Sequence, residues 1–169
     1  ELRLHGGGCG TSYSDELWSL LLPVFARSES YGQGCIGSAG MPTLSVDPAT
    51  SPVLGTTLDL IYDNVPVWLV PISAMGSVGY SRTSYLGISL PIDLGVAGLP
   101  GCSVLHSAEV TVPIGAPNSA GTVTWSIPLP NNPTLLALEL FFQCLHVELP
   151  GFSHWAAVSN GIAVRVGDQ

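Results

Sequence analysis

His146 and Glu148 stand two residues apart in a long apolar stretch, so a β-strand would carry an imidazole and a carboxylate on one face. Such a pair begins a zinc site or an acid–base couple, but a metal site needs further ligands at a telling spacing. His5, His106 and His154 supply none, so the pair reads as a solvated strand face and no metal ligand is assigned. Gly32-Gln33-Gly34-Cys35-Ile36-Gly37 matches the Gly-x-Gly-x-x-Gly fingerprint. That motif works between a strand and a helix whose amino end holds a pyrophosphate. Ser38-Ala39-Gly40-Met41-Pro42 cannot open such a helix, and the segment reads as a turn beside a cysteine. No Gly-x-Ser-x-Gly elbow occurs. Asp15 and Glu16 are adjacent and point apart, which suits a helix start better than glycoside hydrolysis. Trp68, Trp125 and Trp155, with Tyr80 and Tyr85, could stack on sugars, although aromatics at strand positions usually pack in cores or across strands. The residues therefore point away from an enzyme and imply no cofactor.

These residues sit in a weakly charged, acidic chain. Only 9% of its 169 residues are charged, the net charge is −8, and the four basic residues are all arginines. Such a surface cannot neutralise a run of phosphates, which argues against nucleic acid, and it disfavours an anionic membrane. The uncharged run from Val110 to Leu138 is too rich in proline to span a bilayer. With 46% apolar residues, 20 glycines and 14 prolines, the composition predicts short strands joined by tight turns. Four cysteines, no lysine and few charges fit an extracellular, secreted protein, with any signal peptide removed before Glu1.

Two regions must position these groups. Residues 1–30 read as an N-terminal extension and residues 31–169 as an all-β domain. In the extension, Leu2 and Leu4 alternate like a short strand before a Gly6-Gly7-Gly8 hinge. Leu17 to Ala26 is almost wholly apolar and reads either as a helix over Asp15–Leu22 or as a strand over Leu17–Ala26, because Pro23 interrupts any longer helix. Arg27-Ser28-Glu29-Ser30 reads as a polar linker. Beyond it, strands are predicted at Thr43–Val46, Thr56–Tyr62, Val67–Ile72, Leu86–Ile92, Ser103–His106, Glu109–Val112, Gly121–Ile127, Leu138–Glu148 and Gly161–Val166. A single helical turn is expected at Pro133–Leu136. Eight or nine short strands with this punctuation predict an antiparallel immunoglobulin-like or jelly-roll-like β-sandwich.

The order of motifs resembles a secreted β-sandwich repeat domain of planctomycetes and other environmental bacteria. Tyr31-Gly32-Gln33-Gly34-Cys35, Gly37-Ser38-Ala39-Gly40 and Ser81-Arg82-Thr83-Ser84 carry the first part of the likeness. Leu90-Pro91-Ile92-Asp93-Leu94-Gly95, Pro100-Gly101-Cys102, Ile127 to Pro133, Phe142-Gln143 and Ser159-Asn160 carry the rest. The likeness covers residues 31–167 and departs at Asn132, where the family favours Asp, and at Cys144, where it favours a small residue. It implies export, the sandwich fold and a Cys35–Cys102 disulfide. Cys9 and Cys144 then remain to bond within one molecule or between two.

An exposed ten-residue apolar run is a liability on a monomer but suits insertion beside a neighbour's edge strand. The expected function is thus a structural subunit of an extracellular filament, a homopolymer built head-to-tail by N-terminal strand donation. Leu2, Leu4, Leu17, Trp18, Leu20, Leu22, Val24 and Phe25 are the candidate assembly residues. The alternative is a carbohydrate- or cell-surface-binding module of a secreted protein.

Overall fold

The structure is a computed structural model that describes residues 2–4, 18–20, 23–67, 74–148 and 155–169. It is an all-β sandwich built of antiparallel sheets. The strands are β1 (Leu2–Leu4), β2 (Trp18–Leu20), β3 (Arg27–Tyr31), β4 (Thr43–Val46), β5 (Thr57–Asp63), β6 (Ala74–Gly79) and β7 (Ser84–Tyr85). They continue with β8 (Ile88–Ser89), β9 (Ile92–Asp93), β10 (Ser103–Val104), β11 (Val110–Gly115), β12 (Val123–Pro128), β13 (Glu139–Val147) and β14 (Ala156–Arg165). A five-stranded sheet in the order β11-β6-β13-β14-β3 faces a three-stranded sheet in the order β12-β5-β4. The remaining strands form short two-stranded pairs, so the described residues carry more strands than the eight or nine expected.

Alternation along β5 and β13 builds the core. Leu58, Leu60 and Tyr62 point inward from β5 and meet Phe142 and Cys144 of β13 and Val164 of β14. Trp125 of β12 lies edge-on to Phe142 at 5.6 Å between ring centroids. Its indole rests on Gly76, where any Cβ would collide with the ring. The long connection from Tyr80 to Ser107 crosses the outer face of the five-stranded sheet. There Leu99 and Cys102 pack with Cys35, Ala157 and Val158 in a second small core.

Several expectations are corrected. Arg27–Tyr31 is no linker: it pairs antiparallel with β14, from Arg27 opposite Arg165 to Tyr31 opposite Gly161. It reads as polar because an edge strand exposed along most of its length has no apolar periodicity to show. Upstream, Val24 and Ala26 already bond to the C-terminus: Asp168 N–H donates to Val24 O and Ala26 N–H to Gln169 O. Residues 24–31 are thus hydrogen-bonded along β14 and the residues that follow it. The predicted strand Leu86–Ile92 is split into β8 and β9 at the cis Leu90–Pro91 peptide. Strand β6 begins after the predicted Val67–Ile72; Val67 is in a turn and residues 68–72 lie outside the described residues. In the extension, Trp18–Leu20 adopts the strand rather than the helix and pairs with Leu2–Leu4.

Candidate assembly cleft and buried polar relay

The two sheets differ in width, and the difference leaves a cleft. Strand β3 extends the five-stranded sheet on one side, but the three-stranded sheet stops at β4, and among the described residues no strand lies opposite β3. The resulting cleft of about 510 Å³ is lined by Ser28 and Ser30 of β3, Leu44 and Val46 of β4, and Asn160 and Ile162 of β14. Leu44 and Ile162 are buried at its floor. Asn160 acts on the β4 edge as a one-residue strand: its Oδ1 accepts from Leu44 N–H at 2.8 Å and its Nδ2 donates to Leu44 O at 2.9 Å. The same Nδ2 reaches Ser30 Oγ at 2.8 Å, tying the two walls together. Since backbone groups alternate along an antiparallel strand, the amide and carbonyl of Val46 also point toward the cleft.

The outer face of the β3 end is a second feature. Arg27, Arg82 and Arg165 gather with Glu29, Glu139 and Phe141 around a small depression that shares Glu29 with the cleft. Arg27 bonds Glu139 at 3.3 Å and Arg82 bonds Glu29 at 2.9 Å. The Arg82 guanidinium also lies 5.9 Å from the ring centroids of Tyr31 and Phe141. Arg165 sits between Glu139 and Arg27 in the strand register, yet among the described residues its buried Nε–H has no acceptor.

His146 and Glu148 are not a solvated face. His146 shares the inward parity of Phe142 and Cys144, and both it and Glu148 are buried. Ser38 N–H donates to Glu148 Oε1 at 2.8 Å and Ser38 Oγ–H to Oε2 at 2.6 Å. Glu148 Oε1 lies 3.1 Å from His146 Nε2, and His146 Nδ1 lies 2.7 Å from the Tyr62 hydroxyl. An ionised carboxylate only accepts, so Nε2 carries the imidazole proton and Nδ1 accepts from Tyr62. Burial lowers the His146 pKa, against the opposing pull of Glu148. Burial alone would raise the Glu148 carboxyl, but the two Ser38 hydrogen bonds and His146 outweigh it and hold the pKa low. Burial raises the Tyr62 hydroxyl well above its ordinary value, with Cys144 and Glu148 adding to the effect. Ser38 rests on the carboxylate rather than on the imidazole, so this is not a nucleophile–base pair. It bolts the Gly37–Gly40 turn to β13 and, through Tyr62, ties the two sheets together.

The remaining predicted positions are dispersed. Cys35 and Cys102 form the expected disulfide, across a sequence separation of 67. Cys144 is a free, buried thiol whose pKa is raised by burial. Cys9, Leu17, Leu22, Trp68, His5 and His154 lie outside the described residues. Leu2 and Leu4 lie on β1, Trp18 and Leu20 on β2; Phe25 is exposed on the stretch leading into β3. Trp125 packs on the core, Trp155 is exposed with its Nε1–H bonded to Ala97 O, and Tyr85 bonds Ala108 O. Sequence reasoning missed Asn160, Tyr62, Ser38 and the arginine cluster. Among the described residues no helix is long and apolar enough to cross a membrane. Comparison with family models, curated proteins and solved structures finds no match.

Proposed function

We propose that the protein is a structural, non-enzymatic subunit of an extracellular filament, assembled head-to-tail by donation of an N-terminal strand into the next subunit. The unmatched width of the two sheets carries this reading: the cleft lies where one further strand beside β4 would cover the inner face of β3. A donated strand would take over the Leu44 bonds now made by Asn160 and continue to Val46. Leu17 to Leu22 is the favoured donor. As a strand its six residues reach roughly 20 Å, enough to run the length of β4, and its middle already adopts strand geometry in β2. Leu2 and Leu4 of β1 form the second donor element. Val24 is held at its own C-terminus and anchors the arm instead of entering the neighbour. Such a contact does not close on itself, so it propagates. The disulfide and low charge support an external location. Electron microscopy of the oxidised chain tests the reading: fibres are expected from the intact protein and single particles after removal of residues 1–22.

A second reading, a carbohydrate-binding module, is supported by Trp155, which is 55% exposed beside the fully exposed Val96. Quenching of tryptophan fluorescence by oligosaccharides, abolished by Trp155→Ala, would favour it.

A further inference from the structure

Antiparallel pairing turns the amide and carbonyl of every second residue of a strand toward the same side. On the free edge of β4, Leu44 and Val46 therefore share an outlook onto the cleft, yet their surroundings differ. The Asn160 carboxamide meets both backbone groups of Leu44, at 2.8 and 2.9 Å. Among the described residues, no partner beyond β5 meets those of Val46. The orientation of the carboxamide is dictated, because Leu44 N–H can only donate and Leu44 O only accept: Oδ1 faces the first and Nδ2 the second. Nδ2 also lies 2.8 Å from Ser30 Oγ on the opposite wall and 3.3 Å from Gly161 O, so three acceptors compete for its two protons. Leu44 and Ile162 are buried beneath this contact, while Ser30 above it is exposed. The β4 edge is thus capped at Leu44 by a side chain and open at Val46.

We propose that Asn160 is a displaceable cap, a positioning residue that keeps the β4 edge satisfied in the free subunit and sets how readily the strand of a second copy enters. This inference rests on the donation reading. The incoming strand meets Val46 first, since its backbone groups are unclaimed among the described residues, and then replaces the carboxamide at Leu44. The exchange is even in kind. One residue of a strand offers a C=O and an N–H, the same two groups that Asn160 offers, so Leu44 keeps two bonds before and after. The displaced carboxamide keeps Gly161 O and Ser30 Oγ as acceptors for Nδ2, so releasing it strands few polar groups. The cap therefore stabilises the free subunit through bonds that the polymer obtains from its neighbour, and it opposes assembly to the same extent. An uncapped edge pairs with whatever strand reaches it. A carboxamide at Leu44 yields only to a strand that also extends along Val46 and covers Leu44 and Ile162, so the cap selects the full-length donor over chance contacts.

The test uses the full chain. Sedimentation gives the critical concentration for polymer, and urea unfolding below that concentration gives the stability of the soluble subunit. Asn160→Ala strips Leu44 of both partners in the free subunit alone, so the critical concentration should fall about tenfold while the urea midpoint also falls. Asn160→Ser, whose single hydroxyl cannot meet both Leu44 groups, should move both quantities the same way, with a fall of about threefold in critical concentration; it carries the test if the Ala variant does not fold. A weaker subunit that polymerises more readily is the signature of a cap, because a residue that only supports the fold weakens subunit and polymer alike. A critical concentration unchanged or raised in a folded Asn160 variant overturns the cap and leaves strand donation standing. A wild-type chain that stays monomeric overturns both.

Discussion

Replacing Tyr62 by Phe removes one oxygen from the centre of the sandwich and tests whether the buried relay joins the sheets. The ring is fully buried and is retained by the substitution, so no cavity beyond the hydroxyl is created. What is lost is the 2.7 Å bond to Nδ1 of the fully buried His146 ring. A buried acceptor left without a donor costs about 1–3 kcal/mol. A midpoint value of about 2 kcal/mol corresponds to a Tm lower by roughly 4–8 °C in a domain of this size. Urea unfolding followed by tryptophan fluorescence is the assay, since Trp125 packs on Phe142 and reports the core. The midpoint should fall with an unchanged slope. Tyr80→Phe, at a side chain 60% exposed, is the control and should be nearly silent. A Tyr62→Phe loss no larger than that of Tyr80→Phe would refute the role given to the relay.

Three further outcomes follow from the same geometry. The His146 pKa is lowered from 6.5 and that of Glu148 from 4.5, so both groups bind protons more readily in the unfolded chain. Stability should therefore be full above pH 6.5, fall as His146 begins to charge below it, and fall further below pH 4.5; His146→Gln should flatten the upper part of that decline in urea titrations across pH. Removing the Cys35–Cys102 bond as a double Ala variant frees a loop of 67 residues and should cost about 4 kcal/mol, read as a lower urea midpoint. Leu86 adopts φ +49° while 85% exposed at the tip between β7 and β8, so Leu86→Asn should raise stability by roughly 1 kcal/mol in the same assay.

How much of this was legible in the sequence depends on how each residue meets water. Strand β4 and the disulfide were readable because alternation and flanking turn residues mark the one, and the family likeness marks the other. Strand β3 was not, since Ser28 and Ser30 line an uncovered cleft and Arg27 and Glu29 face solvent, leaving no buried side to betray a period of two. Strand β6 escaped for a different reason. Its Gly76 and Gly79 are small to admit Trp125 and the Ser107 backbone, and that is a property of its neighbours in space. The burial of His146 could have been found, because positions 142, 144 and 146 share parity in a strand whose other inward members are apolar. The Asn160 cap and the arginine cluster join residues far apart in sequence, Asn160 to Leu44 across 116 positions and Arg82 to Glu29 across 53, and become visible only once the sheets are assembled.

The most direct measurement of strand donation is electron microscopy of the oxidised chain, intact and lacking residues 1–22, with the truncated chain also given a synthetic peptide of residues 12–22. Fibres from the intact chain, dispersed particles from the truncated one, and blockage of the intact chain's growth by the peptide are the predicted results. Monodisperse particles from both chains, or fibres that persist without residues 1–22, would contradict assembly through the cleft between β3 and β4.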